Sequence, residues 1–248
     1  MRDDNDANCT YEGDNNVLLQ QTSNWLINLK GNLDKKPHDF RCLSFLEISS
    51  AHFEPRSLKQ LLNPTIILNT YKWLVSYLLE MSSKKFTSLV NEGVDSFTAR
   101  NESQVFHART LSIAFIEHLV LEQFWEQLCK KQGLPQAVQI VLKKIMMLFG
   151  LWSLEKHLGT LYQGKYIQGP EGAILIRQGI LKLCADLKPE AVALVDAIAP
   201  PDFILNSPLG ASDGQVYKHL QMAMSQTPGG YTRPDWWTDV SERLQSKL

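Results

Sequence analysis

Cysteine is scarce. The 248 residues hold four, Cys9, Cys42, Cys129 and Cys184, with no Cys-x-x-Cys pair and no histidine at ligand spacing, which argues against a disulfide framework or a zinc site. Reduced, mostly buried thiols are expected. An excess of one charge is also missing: 25 basic and 26 acidic residues leave a formal net charge of −1, so no global field draws nucleic acid or an anionic membrane. The longest apolar run, Ile145 to Trp152, falls far short of the roughly 20 residues that cross a bilayer. Met1 to Asp6 is acidic and polar, so no secretory leader is expected, and the sequons Asn8-Cys9-Thr10 and Asn101-Glu102-Ser103 read as chance matches. Period-two alternation is absent, which speaks against a sheet. Gly159, Gly164, Gly169 and Gly172 make neither a dinucleotide fingerprint nor a phosphate loop and are expected to form a loop between helices. Ser207 and Ser212 lack a nucleophile elbow.

What the chain does have is helical periodicity. With 44% hydrophobic and 21% charged residues it can bury a sizeable core in one large or two small domains. A first helix is expected over Val17 to Leu29, with Val17, Leu18, Trp25, Leu26 and Leu29 as its apolar face and Gly31 as its stop. A connecting segment follows, with a short helix around Leu43 to Ile48. Asn63-Pro64 starts a long helix striped by Ile67, Tyr71, Leu74, Leu78 and Met81. The second stripe is Leu111, Ala114, Phe115, His118, Leu121, Trp125 and Leu128. The third is Val138, Val141, Ile145, Leu148 and Trp152, with His157 in the last turn and Gly159 beyond it. The fourth is Ile176, Ile180, Leu183 and Leu187, ended by Pro189. Four long amphipathic helices with short connections define an all-α helical bundle. Shorter helices are expected from Pro189 to Ile198, from an Asp213 cap to Met224, and from Pro234 to Leu244. His118 and Glu122, four apart, lack a third metal ligand, so a core histidine hydrogen-bonded to a neighbour is expected there. The aromatic residues on the stripes, Tyr71, Trp73, Phe115, Trp125 and Trp152, are expected in the core.

The stretch with chemistry in it is Cys9 to Gln21, C-T-Y-E-G-D-N-N-V-L-L-Q-Q. Glu12 stands beside Gly13 where irregular chain becomes helix, a place where a carboxylate can take a proton while nearby backbone N–H groups remain to donate. On pattern alone the same residues also make an ordinary turn with Asp14 or Asn15 as the helix cap. Two further segments are distinctive: Ala191 to Ala197, A-V-A-L-V-D-A, followed by Leu205 to Tyr217, L-N-S-P-L-G-A-S-D-G-Q-V-Y, and the terminal Ser246-Lys247-Leu248.

The run T-Y-E-G-D-N-N-V-L-L-Q-Q resembles the active-site segment of the acyl-CoA oxidases, and the segment around 191–217 resembles the closing domain of the peroxisomal members. The wording around Glu12 and the stretch Ile198 to Phe203 look most like the branched-chain, pristanoyl-CoA type. The resemblance implies an FAD-dependent reaction in which acyl-CoA and O₂ give trans-2-enoyl-CoA and H₂O₂. It makes Glu12 the catalytic base, lets Gly13 admit the substrate, and places Asp14 and Asn16 where relatives contact the flavin nucleotide. It further implies a homodimer, or pairing with a full-length oxidase, and import into the peroxisome through a receptor that reads Ser246, Lys247 and Leu248. Residues 1–31 then correspond to the end of a dehydrogenase-like helical domain with the catalytic turn, 32–62 to a linker, 63–245 to the oxidase C-terminal helical domain, and 246–248 to the targeting tripeptide. Family members are more than twice as long, so the chain is expected to be a C-terminal portion lacking most of the flavin site and inactive by itself. The alternative is a non-catalytic helical dimerisation module derived from such an oxidase.

Overall fold

The computed structural model describes residues 15–31, 41–46 and 52–245. Glu12, Gly13, Asp14 and Ser246 to Leu248 lie outside these residues. Among the described residues every regular element is helical and none is a strand, in keeping with the absence of alternation.

Helix α1 spans Asn15–Lys30. A 3₁₀ turn, Arg41–Leu46, and one turn of helix, α2 (Leu58–Leu61), precede α3 (Pro64–Asn91). The Asn63 side chain accepts from the Thr65 N–H at 3.1 Å and Pro64 occupies the first turn, where its missing N–H costs nothing. Helix α3 is the axis of the core: Ile67, Tyr71 and Leu74 are fully buried and Leu78 nearly so, as the stripe requires. A short helix that the periodicity did not mark, α4 (Ser96–Glu102), starts on Asp95, whose carboxylate accepts from the N–H groups of Phe97 and Thr98. A hydrogen bond from the Thr98 side chain, with these backbone bonds behind it, holds the Asp95 carboxyl below its usual pKa.

Helix α5 (Arg109–Lys130) packs along α3 and buries Leu111, Ala114, Phe115, His118 and Leu121. Helix α6 (Gln136–Lys156) corrects the third stripe. Its buried face is Met146, Met147, Gly150, Leu151, Ser153 and Leu154, whereas Val138 and Trp152 are exposed. The helix is apolar on every side, so periodicity could not choose the inward face. Gly150 decides it: a Cβ there would stand 2.6 Å from the Ile67 side chain, so only glycine lets α6 approach α3 this closely. His157 caps α6 and the chain enters a further helix, α7 (Leu158–Gln163), where a glycine loop was expected. Gly159 lies inside it. Gly164 follows because a side chain there would strike the Trp73 ring, itself stacked on Tyr77 and Tyr166. Helix α8 (Glu171–Leu187) lies along α6 and buries Ile176 and Leu183. These elements belong to one compact unit that ends at Lys188.

A second unit begins at Pro189 and holds α9 (Ala191–Asp196), α10 (Asp202–Leu205), α11 (Val216–Gln226) and α12 (Trp237–Gln245). Asp213 does not cap α11 directly. Its carboxylate accepts from the Gln215 N–H at 2.9 Å and meets His219, which shifts the helix start two residues onward. Asp202 accepts from both the N–H and the hydroxyl of Ser212, closing the loop that follows the Pro200-Pro201 break.

Candidate functional site

Three of the residues expected to act on substrate or cofactor precede the described chain, so the structural content of the site lies in the helix they lead into. Residues Asn16, Leu19, Ser23, Leu26 and Lys30 recur on one face of α1. Leu26 is fully buried. The other four are held by polar bonds. Arg109 Nε donates to Asn16 Oδ1 at 3.3 Å. Ser112 Oγ donates to the Leu19 carbonyl at 2.6 Å. Ser23 and Gln104 exchange two side-chain bonds at 3.1 and 3.2 Å. Lys30 pairs with Glu80 of α3, and that bond is the main reason the Glu80 carboxyl lies below its usual pKa. Val17, Leu18 and Trp25, expected on the apolar face, are 54%, 42% and 38% exposed, because the inward positions of α1 are Ser23, Leu26 and Leu29.

The partners of this stripe come from a distorted segment. Gln104–Ala108 is a wide π-type turn before α5, with Phe106 in the left-handed region at φ 65°. Such a conformation costs a β-carbon-bearing residue about 1–2 kcal/mol. Phe106 is 86% exposed, so its own burial does not offset the strain.

Two further polar groups, one part-buried and one buried, lie between the helices. Glu117 of α5 accepts from the Tyr71 hydroxyl at 3.1 Å and meets His157 Nε2 at 2.9 Å. Burial, reinforced by the Glu117 charge, pushes the Tyr71 phenol far above its ordinary pKa, so it stays protonated. His118 corrects the expectation of a hydrogen-bonded core histidine. It is fully buried, yet among the described residues neither ring nitrogen has a partner. Burial, with a smaller push from the Lys72 ammonium, lowers its pKa from 6.5 to about 4. The neutral ring is what the core accepts. Stability is therefore expected to be complete above pH 6.5 and to fall by about 3 kcal/mol as pH drops to 4, since only the unfolded chain takes up the proton over that range. Urea unfolding at several pH values checks this, and His118→Leu is expected to flatten that part of the profile. Among the described residues no group of three or more metal-ligating side chains occurs. Cys129 and Cys184 are exposed thiols, contrary to the expected burial, because both sit on outward faces of α5 and α8.

The arrangement is that of an all-helical scaffold that holds one helix, α1, through several directional bonds. The model for the acyl-CoA oxidase family matches residues 63–246. The chain belongs to that family. It is 42% identical over 265 residues to human peroxisomal acyl-coenzyme A oxidase 3, covering all of this chain and 37% of the relative. Among solved structures, Arabidopsis thaliana acyl-CoA oxidase 1 superposes with a TM-score of 0.84 at 25% identity, over 98% of this chain and 37% of that one. The Caenorhabditis elegans acyl-CoA oxidase-2 bound with FAD, ascaroside-CoA and ATP superposes with a TM-score of 0.78 at 22% identity, over 97% and 35%. The chain thus spans little more than a third of the length of the relatives it matches.

Proposed function

We propose that this chain supplies the catalytic turn and the C-terminal helical domain of a peroxisomal, FAD-dependent acyl-CoA oxidase that converts acyl-CoA and O₂ into trans-2-enoyl-CoA and H₂O₂. The observation that carries it is the 42% identity to a human peroxisomal acyl-coenzyme A oxidase over the whole chain. FAD, when bound, supplies the acceptor for the β-hydride and passes the electrons to O₂. Glu12 removes the α-proton of the thioester. Its own backbone N–H helps hold the thioester oxygen as negative charge develops there, and Gly13 leaves room for the substrate to approach. Asp14 and Asn16 face the nucleotide half of the flavin. The substrate is a 2-methyl-branched or long-chain acyl-CoA, the working state is a dimer, and Ser246-Lys247-Leu248 directs the protein to the peroxisomal matrix.

The chain spans 37% of the relative it matches, so most of the flavin site is expected to lie outside it. Of the residues assigned to FAD only Asn16 is among those described, and its side-chain oxygen accepts from Arg109. The purified chain is therefore expected to be colourless and to release no peroxide from an acyl-CoA. A yellow preparation with bound flavin would overturn that part of the proposal. A companion assay mixes the chain with an intact oxidase subunit: co-purification without gain of activity would favour the non-catalytic pairing module instead.

A further inference from the structure

From Pro189 to Ser241 no residue is buried, even with the whole chain present. Helices α9, α10 and α11 have no buried side chain among them, and the apolar residues Val195, Ile198 and Phe203 are 59%, 86% and 82% exposed. A stretch that buries so little gains too little to offset the entropy lost in fixing its backbone. Its helices are nonetheless set, and the superposition on the Arabidopsis oxidase, of which this chain spans 37%, takes in 98% of this chain. The unit thus has the form it takes in a much longer protein without a core of its own to hold it.

One face of the unit is shaped to receive something. Val192, Val195, Phe203 and Leu209 line an open, mainly apolar groove of about 930 Å³ beside the Pro200-Pro201 break. Asp202 accepts from the N–H and the hydroxyl of Ser212, which ties the two sides of the groove together. The charge around it is of one sign. From Pro189 to Tyr217 the sequence has four carboxylates, Glu190, Asp196, Asp202 and Asp213, and no lysine, arginine or histidine, and Asp196 and Asp202 are in the groove lining. Such a surface suits an apolar segment flanked by basic side chains. The same face of a second copy would set carboxylates against carboxylates.

We propose that the groove within residues 191–214 is a docking surface for the portion of a full-length oxidase that lies outside this chain, and that the second unit keeps its fold only when that portion is seated on it. This rests on the chain being part of such an oxidase. The chain spans 37% of the human relative, so the larger part of a full-length protein is there to supply the cover. The occupant is an apolar segment of that part with lysine or arginine at its edges.

Hydrogen exchange tests it without reference to activity. In the purified chain the amides of residues 191–226 are expected to exchange about 100-fold or more faster than in a full-length oxidase carrying this sequence, while the α3 and α5 cores stay protected in both. Protection in the purified chain would overturn the proposal: at every concentration it would show a self-sufficient unit, and if it rose with concentration the occupant would be a second copy. Rapid exchange in both proteins would overturn it as well. In the full-length protein Phe203→Asp is expected to speed exchange over residues 191–214 by about tenfold or more, whereas in the purified chain it leaves urea unfolding of the helical unit unchanged. Protection that survives Phe203→Asp would show that the groove is not the docking surface. A full-length protein that releases peroxide while residues 191–226 exchange freely would remove this proposal alone. One that protects them and releases none would support the docking and count against the reaction alone.

Discussion

Replacing Glu12 by glutamine in a full-length oxidase carrying this sequence is expected to lower kcat by about 10²- to 10⁴-fold, the usual contribution of a positioned general base. The substitution keeps the size and most of the hydrogen-bonding outline of the side chain and removes only its capacity to accept a proton as a carboxylate. KM for the acyl-CoA and the flavin content are therefore expected to stay near those of the parent. That pattern separates loss of a base from loss of a fold, because an interaction made only in the transition state lowers kcat without weakening substrate binding. Steady-state peroxide release reads it directly. A variant with both constants near the parent's would place the base elsewhere.

Glu117→Ala is expected to destabilise the helical unit by about 1–3 kcal/mol, because it leaves the buried Tyr71 hydroxyl without this acceptor. Glu117 Oε2 serves both the Tyr71 hydroxyl and His157. Tyr71 is fully buried and His157 6% exposed, so both lose a partner in a place that water reaches poorly. Glu117→Gln keeps an acceptor for Tyr71 and is expected to cost less than the alanine change. Urea unfolding of the two variants beside the parent measures both, and an alanine variant within about 0.5 kcal/mol of the parent, the range of an ordinary surface change, would show the network to be energetically idle.

Most of the scaffold could be read from the residues. The α3 stripe was legible because Ile67, Tyr71, Leu74 and Leu78 repeat at helical spacing against a polar opposite face and an Asn-Pro start, and all four are buried. The orientation of α6 was not, since an all-round apolar helix gives the same signal for every rotation, and the deciding feature is Gly150 meeting a residue 83 positions earlier in the chain, Ile67. The polar stripe of α1 was hidden for a similar reason. The burial of Ser23 depends on a partner, Gln104, brought in from 81 residues away. His118 was placed in the core by its position on the α5 stripe, but whether its ring nitrogens find partners depends on neighbours from other helices. The chemistry at Glu12 was legible only through the wording of its neighbours, because a carboxylate beside a glycine before a helix is equally an ordinary turn.

The most direct test of the proposed reaction is a single anaerobic mixing of acyl-CoA with flavin-loaded, full-length enzyme in which Glu12 has been replaced by glutamine. If Glu12 takes the α-proton, the substrate binds and the yellow of the oxidised flavin persists on the timescale in which the parent enzyme bleaches. Bleaching at the parent's rate would contradict it.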